Sequence, residues 1–221
     1  MKVLIVGANG KVGTLLSGKM WKSSWFSPLA LIRDERQQMK FTALGVPSVT
    51  GDLEVGLADF LPGLDAVVFS AGSGSHTGPE KTIEVDQDSA IRLIDDCKRV
   101  GLRRFVMISA IGADPKSQSG RIRHYLRAKG VADEHLRASG LDFTILAPGT
   151  LLDGPGTGLI RAAEDLGGRG TLSREDLADC VMEALHNAHT IGKTIQLVSG
   201  SDGIKDAISE AAGGDAAPPV L

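Results

Sequence analysis

Short apolar runs alternate with amphipathic stretches along nearly the whole chain. The run KVLIV at 2–6 is β-branched and apolar on both faces, which is typical of a buried parallel strand, and a helical stretch follows at 11–23. Further strands are predicted at 29–34, 47–52, 64–72, 103–112, 142–149 and 193–200, and further helices at 84–101, 125–140 and 173–187. This order predicts βαβ units, and therefore an α/β fold with a doubly wound, mainly parallel sheet and helices on both faces.

The size and composition of the chain suit one globular domain. The 221 residues are 42% hydrophobic and 23% charged, so we predict a single domain over residues 1–210. Small elements on the substrate side are expected from about residue 150, and the Gly/Ala/Pro-rich segment 211–221 is predicted to be a flexible tail.

Charge and cysteine content exclude several function classes. The net charge is −3 without a basic tract, and only 4% of the residues are aromatic, so nucleic acid is not an expected partner. The apolar run near the N-terminus breaks at Gly7, which is too short for a membrane span. Cys97 and Cys180 lie far apart in the sequence, so we expect them to form neither a metal site nor a disulfide. We expect both to be buried free thiols in a reducing compartment, and we therefore expect a cytoplasmic protein.

A glycine-rich loop, VGANGKVG, follows the first strand and opens the first helix. Glycines at positions 7, 10 and 13 allow a tight turn, close approach of a pyrophosphate and close packing of the helix on the sheet. The phosphates then face the N–H groups and the positive dipole end of the helix. This predicts a dinucleotide site in a Rossmann-type fold. The predicted loop contacts are Gly7, Asn9, Gly10, Lys11, Val12 and Gly13.

The end of the second strand offers a ribose contact. Arg33 lies twenty residues after Gly13, where an arginine favours a 2′-phosphate and an acid favours a free 2′-hydroxyl. Asp34 follows directly, so NAD is possible, but the better-placed Arg33 favours NADP, with Arg36 as support. Later segments are expected beside the adenine and under the cofactor's centre, with the contacts Asp52, Leu53, Ser70, Ala71 and Gly72.

The only tyrosine in the chain, Tyr125, has Lys129 four positions later, and this spacing puts both on one helix face. A neighbouring ammonium favours the phenolate, so the pair can act as an acid/base group beside a nicotinamide. Ser109 ends a strand at the edge where open α/β sheets bind ligands, and its hydroxyl can orient a substrate. The alternative is that Tyr125 is an ordinary residue of a basic surface helix.

Six segments in order, VGANGKVG, IRD, GDL, FVMISAIGA, YLRAK and LDFTILAPGTL, resemble the short-chain dehydrogenase/reductase superfamily. The similarity is to its atypical NAD(P)-binding branch, NmrA-like or epimerase/dehydratase-like, and extends to about residue 200. The resemblance implies that Tyr125 is the acid/base and that Ser109 orients the substrate. It implies that Lys129 binds the nicotinamide ribose and lowers the pKa of Tyr125.

The segment after the sixth strand departs from the branch. Where many members have Arg-Pro-Gly, this chain has Ala147, Pro148 and Gly149. The contact that the arginine makes in those members is therefore not available here. By the resemblance, Pro148 and Gly149 line the nicotinamide side. Thr150, directly after them, and His76, in the loop after the fourth strand, are predicted substrate contacts.

These features predict an NADP(H)-dependent oxidoreductase that transfers hydride to or from a small carbonyl or alcohol, with Tyr125 as acid/base. The alternatives are a non-catalytic NAD(P)-binding redox sensor with a protein partner, and an epimerase or dehydratase acting on a nucleotide sugar. Only about fifty residues separate Gly149 from the last strand, which disfavours a large substrate lobe. The expected ligand is a small molecule, and the expected state is a monomer or homodimer.

Overall fold

The computed structural model describes residues 1–74 and 78–214. The strands there are β1 Lys2–Val6, β2 Ser27–Ile32, β3 Ser48–Thr50, β4 Ala66–Phe69, β5 Arg104–Ile108, β6 Asp142–Pro148, β7 Thr150–Leu152, β8 Leu159–Ala163, β9 Thr171–Ser173, β10 Lys193–Ser199 and β11 Asp202–Gly203. The helices are α1 Lys11–Trp21, α2 Gln38–Leu44, α3 Pro79–Thr82, α4 Ser89–Val100, α5 Arg123–Ala138, α6 Arg174–His186 and α7 Ile204–Ala211. A π-helical turn, Ile83–Asp88, joins α3 to α4, and short 3₁₀ turns lie at Glu35–Gln37, Ala58–Phe60, Gly120–Ile122 and Ala188–Thr190.

Within these residues the main sheet has nine strands in the order β11-β8-β10-β6-β5-β4-β1-β2-β3. Strands β1 to β6 and β10 are parallel, whereas β8 runs antiparallel to β10 and to β11. This confirms the predicted Rossmann-type, mainly parallel sheet. The chain leaves β1 towards β2 and returns on the other side through β4, so a switch point lies between β1 and β4, where such sheets bind ligands.

The first strand is buried on both faces because helices cover the sheet on both sides. Val3 and Ile5 belong to the core cluster under α1 and α6, while Leu4 and Val6 belong to the cluster under α4 and α5. Alternation of side chains along a strand sends successive residues to opposite faces, so an all-apolar run fits this position.

The C-terminal third differs from the prediction. Strands β8 and β11 and helix α7 extend the main sheet and its cover; the sequence predicted only small elements from about residue 150, without their type or range. The β8 sequence LIRAA is short and contains an arginine, so it carries little strand signal. The predicted tail at 211–221 starts inside α7, and Ala212 is buried; residues 215–221 lie outside the described residues.

No helix in the described ranges is long and apolar enough to cross a membrane. A cytoplasmic location and the oligomeric state stay predictions.

Candidate functional site

A groove of about 380 Å³ lies at the switch point of the sheet, beside the carboxyl ends of β1, β2 and β4. It brings together most of the predicted cofactor contacts, namely Gly7, Asn9, Gly10, Arg33, Asp52, Leu53, Ser70, Ala71 and Gly72. The other lining residues were not predicted as contacts: Leu31, Ile32, Gln37, Gly51, Glu54, Ser73, Lys81 and Val85. Most of these flank predicted positions on the same loops, so a wider window around each motif would have included them.

The glycine loop is built so that side chains are excluded from it. Gly7 has φ of 81°, and a Cβ there would lie 2.5 Å from the backbone nitrogen of Ala71. A Cβ on Gly13 would lie 2.3 Å from the carbonyl oxygen of Gly7. The loop therefore packs against the segment that follows β4 on one side and against α1 on the other. This leaves a cradle lined by backbone atoms at the start of α1. This cradle fits the pyrophosphate of a dinucleotide.

Three predicted loop contacts, Lys11, Val12 and Gly13, do not line the groove. Lys11 is exposed, and its Nζ forms an ion pair of 2.6 Å with Asp153, which also binds Arg174 at 2.8 Å. Val12 is buried and packs in the core cluster under α1. Lys11 thus links the glycine loop to the segment after β7, and Val12 fixes α1 on the sheet.

Two cations lie near the end of the groove where the ribose contact is predicted: Arg33 lines the groove, and Lys40 contacts the glycine loop. Arg33 is exposed on the groove wall, and Asp34 is engaged by Arg36 through both carboxylate oxygens. The hydrogen bonds from Arg36 lower the pKa of Asp34 to about 2. The second cation, Lys40 on α2, donates from Nζ to the backbone and side-chain oxygens of Asn9, each at 3.1 Å. Sequence reasoning missed Lys40, because only the fold brings α2 against the glycine loop.

Lys129 connects the groove to the catalytic candidates. Its side chain is buried, and Nζ lies 3.4 Å from the carbonyl oxygen of Ala71 on the groove wall and 3.2 Å from that of Ile108. Nζ also forms an ion pair of 3.3 Å with Asp86. Burial alone would lower the pKa of Lys129, but the interactions with Tyr125, Asp86 and Asp133 raise it by more, so the net pKa is raised. The ammonium is therefore held charged at this position.

Asp86 is a site residue that sequence reasoning missed. It lies on the π-helical turn, is fully buried, and accepts a hydrogen bond of 2.9 Å from the backbone N–H of Ser73 in the groove wall. A signal existed, since Asp86 lies four residues before Ala90 on the apolar face of the predicted helix. A buried carboxylate on such a face needs a partner, and Lys129 supplies it.

Tyr125 lies in the first turn of α5 and is partly buried, with its ring centroid 5.9 Å from Lys129 Nζ. The resemblance implied a lowered pKa. The structure gives the opposite direction: burial raises the pKa of Tyr125, and the charge of Lys129 only partly offsets this. The phenol therefore holds its proton at neutral pH.

Ser109 lies just after β5, and its Oγ donates a hydrogen bond of 2.5 Å to Asp133 Oδ2. Both residues are buried. Burial raises the pKa of Asp133 to about 6, against the lowering effects of Ser109 and of Lys129. Asp133 was not predicted, although it stands four residues after Lys129 and so shares its helix face.

The predicted contacts Pro148, Gly149 and Thr150 lie at the end of β6 and directly after it. Pro148 is the last residue of β6, and a Cβ on Gly149 would lie 2.3 Å from the carbonyl oxygen of Gly170, so Gly149 is needed for packing. Thr150 is exposed and its N–H bonds Gly170. His76 lies outside the described residues.

Replacing Gly13 with alanine is expected to lower the free energy of unfolding by about 1–3 kcal/mol, because the new methyl group overlaps backbone atoms. The affinity for a nicotinamide cofactor is expected to fall by about tenfold as α1 moves away from the cradle. The measurements are urea unfolding and a cofactor titration. Gly18→Ala on the same helix is the control: its Cβ would meet only Leu44, at 3.9 Å, and should raise stability by about 0.5–1 kcal/mol. Equal stability of the two variants would contradict the predicted overlap between a side chain at position 13 and the backbone of Gly7.

The model of the NAD(P)H-binding protein family matches residues 7–188. The uncharacterized sugar epimerase YhfK of Bacillus subtilis is 37% identical over 95% of this chain and 100% of its own length. The UPF0659 protein YMR090W of Saccharomyces cerevisiae is 38% identical over 91% of this chain and 95% of its own.

Among solved structures, a Bacillus halodurans protein named after the NAD-dependent epimerases/dehydratases superposes with a TM-score of 0.89 at 38% identity, covering 95% of this chain and 99% of its own. The oxidoreductase ylbE of Lactococcus lactis superposes with a TM-score of 0.81 at 29% identity, covering 95% and 96%. These matches confirm the resemblance to the atypical short-chain dehydrogenase/reductase branch.

Proposed function

The chain belongs to the NAD(P)H-binding family, and on that premise we propose that it is an NADP(H)-dependent oxidoreductase that reduces a small carbonyl compound, with Tyr125 as proton donor. The observation that carries this proposal is the position of Lys129. Its ammonium touches the groove wall at Ala71 and lies beside the Tyr125 ring, so one buried cation joins the cofactor groove to an acid/base group.

The residues of the chain divide the chemistry between them. A nicotinamide cofactor bound in the groove supplies the hydride. The glycine cradle, Arg33 and Lys40 bind and orient it, and Lys129 lies where its charge favours a developing oxyanion. Tyr125, protonated at neutral pH because burial raises its pKa, gives its proton to the alkoxide oxygen of the product.

A preference for NADP over NAD is supported by the two cations near the ribose end. If Lys40 binds the 2′-phosphate, Lys40→Ala should weaken NADPH binding by about 10–100-fold, because a charge-assisted hydrogen bond is worth about 1.5–3 kcal/mol. NADH affinity should change by less than about twofold, since it lacks that phosphate. The measurement is parallel calorimetric titration, with the exposed Lys22→Ala as control. Equal loss for both cofactors would contradict this role.

A second candidate is epimerase chemistry on a nucleotide sugar, which the name of the 37% identical Bacillus subtilis relative favours. The same tyrosine and lysine could serve it, with the cofactor reduced and regenerated within one turnover. The C-terminal segment gives it less support, because β8 and β11 extend the edge of the main sheet through β10.

One assay separates the possibilities. Purified protein is mixed with NADPH and a panel of aldehydes, ketones and quinones, and cofactor absorbance is followed. Carbonyl-dependent NADPH consumption with alcohol formed in equal amount supports the reductase. Conversion of a nucleotide sugar without net cofactor consumption favours the epimerase. Tight NADPH binding with neither reaction favours the sensor with a protein partner.

A further inference from the structure

The hydroxyl of Ser109 has its only hydrogen committed to Asp133. A serine hydroxyl offers one hydrogen and two lone pairs, and here the hydrogen lies on the Ser109 Oγ to Asp133 Oδ2 bond of 2.5 Å. With Asp133 ionised, Ser109 presents only lone pairs to any other neighbour. A carbonyl substrate also presents only lone pairs, so in this state Ser109 cannot donate to it.

The environment of the Asp133 carboxyl group allows it to be protonated. Its Oδ1 is buried and has no hydrogen-bond partner among the described residues. An unpartnered carboxylate oxygen in the interior favours the neutral acid. As an acid, Asp133 can donate its own O–H to Ser109 Oγ, and the serine hydrogen then becomes free to turn elsewhere.

We propose that Asp133 is a positioning residue that sets the direction of the Ser109 hydroxyl, so that Ser109 donates to a carbonyl substrate only while Asp133 carries a proton. The proposal rests on the reductase function proposed above. It assigns Asp133 no contact with substrate or cofactor; it acts through Ser109.

Burial of Asp133, opposed by its charged neighbours, sets the pH at which this change occurs. Burial raises its pKa to about 6, while Lys129 and Arg137 on α5 lower it. Tyr125 and Asp86 both raise the pKa of Lys129. Asp86 lies on the π-helical turn that packs against α5. Between α4 and α5, Asp95 and His135 form an ion pair with each other at 2.9 Å. Asp133 is thus protonated below about pH 6 and ionised above it.

The first test is the pH profile of NADPH-dependent reduction of benzaldehyde. The wild-type kcat/KM should rise about fivefold to tenfold as the pH falls through about 6. This is the rate change expected when Ser109 gains one hydrogen bond to the reacting oxygen. Tyr125 does not titrate in this range, because its pKa is raised above the ordinary value. Asp133→Asn should give a flat profile near the acid-side level, since its amide N–H can donate to Ser109. Ser109→Ala should be flat and low, and Asp133→Glu should restore a pH step.

The second test needs no turnover. Infrared spectra of protein labelled with ¹³C in the aspartate carboxyls should show one group titrating near pH 6 that is absent in Asp133→Asn. Ser109→Ala should move this midpoint to higher pH, because it removes a hydrogen bond that favours the carboxylate. An unmoved midpoint, or equal pH profiles of wild type and Asp133→Asn, would overturn the proposal. A moved midpoint without any carbonyl reduction would support the coupling and count against the reductase function alone.

Discussion

We expect that replacing Tyr125 with phenylalanine lowers the proposed carbonyl reduction by about 10²–10⁴-fold, the usual contribution of a positioned general acid. The expected loss falls on kcat and not on cofactor binding, because the change removes only the hydroxyl and keeps the ring beside Lys129. Steady-state kinetics at neutral pH and a fluorescence titration with NADPH measure the two effects. NADPH affinity should stay within about threefold of the wild type.

His124→Ala is the matched control for that experiment. His124 is the preceding residue on α5, and its replacement should leave kcat within about twofold of the wild type, as for a residue outside the site. Full activity of Tyr125→Phe would remove Tyr125 from the chemistry and leave its ring as a packing residue of the helix.

Replacing Asp86 with alanine is expected to lower the free energy of unfolding by about 3–5 kcal/mol. The change leaves the buried Lys129 ammonium without its nearest carboxylate and removes the acceptor of the Ser73 N–H. A lysine held at 3% exposure cannot regain the lost interaction from water. Urea unfolding at neutral pH measures the loss, and NADPH affinity should also fall because Ser73 lines the groove.

Asp88→Ala on the same turn is the control for this change. Asp88 is exposed and accepts a hydrogen bond from Gln87, so its loss should alter stability by less than about 0.5 kcal/mol. Similar unfolding midpoints for Asp86→Ala and Asp88→Ala would show that the Asp86–Lys129 pair contributes little to the fold.

The main sheet and the glycine cradle could be predicted from local sequence because their signals are local. An apolar run such as 2–6 predicts a strand that is covered on both faces. The glycines at 7 and 13 indicate where the backbone approaches its neighbours closely. The contact between Lys129 and the Tyr125 ring likewise follows from their spacing of four residues on one helix.

The partners of these residues could not be predicted from local sequence, because the fold creates them from distant segments. Lys40 reaches Asn9 across thirty-one positions and Asp86 reaches Lys129 from another helix, so neither contact has a sequence spacing to reveal it. The raised pKa of Tyr125 depends on how deeply the ring is buried. Strand β8 has a weak pattern of its own and forms because β10 offers it an edge.

The most direct test of the cofactor assignment is a parallel calorimetric titration of the wild type and Arg33→Ala with NADPH and NADH. We expect the wild type to bind NADPH at least about tenfold more tightly than NADH, and Arg33→Ala to lose most of that difference. Binding of neither cofactor, or equal binding of both by the wild type, would contradict an NADP(H) site in this groove.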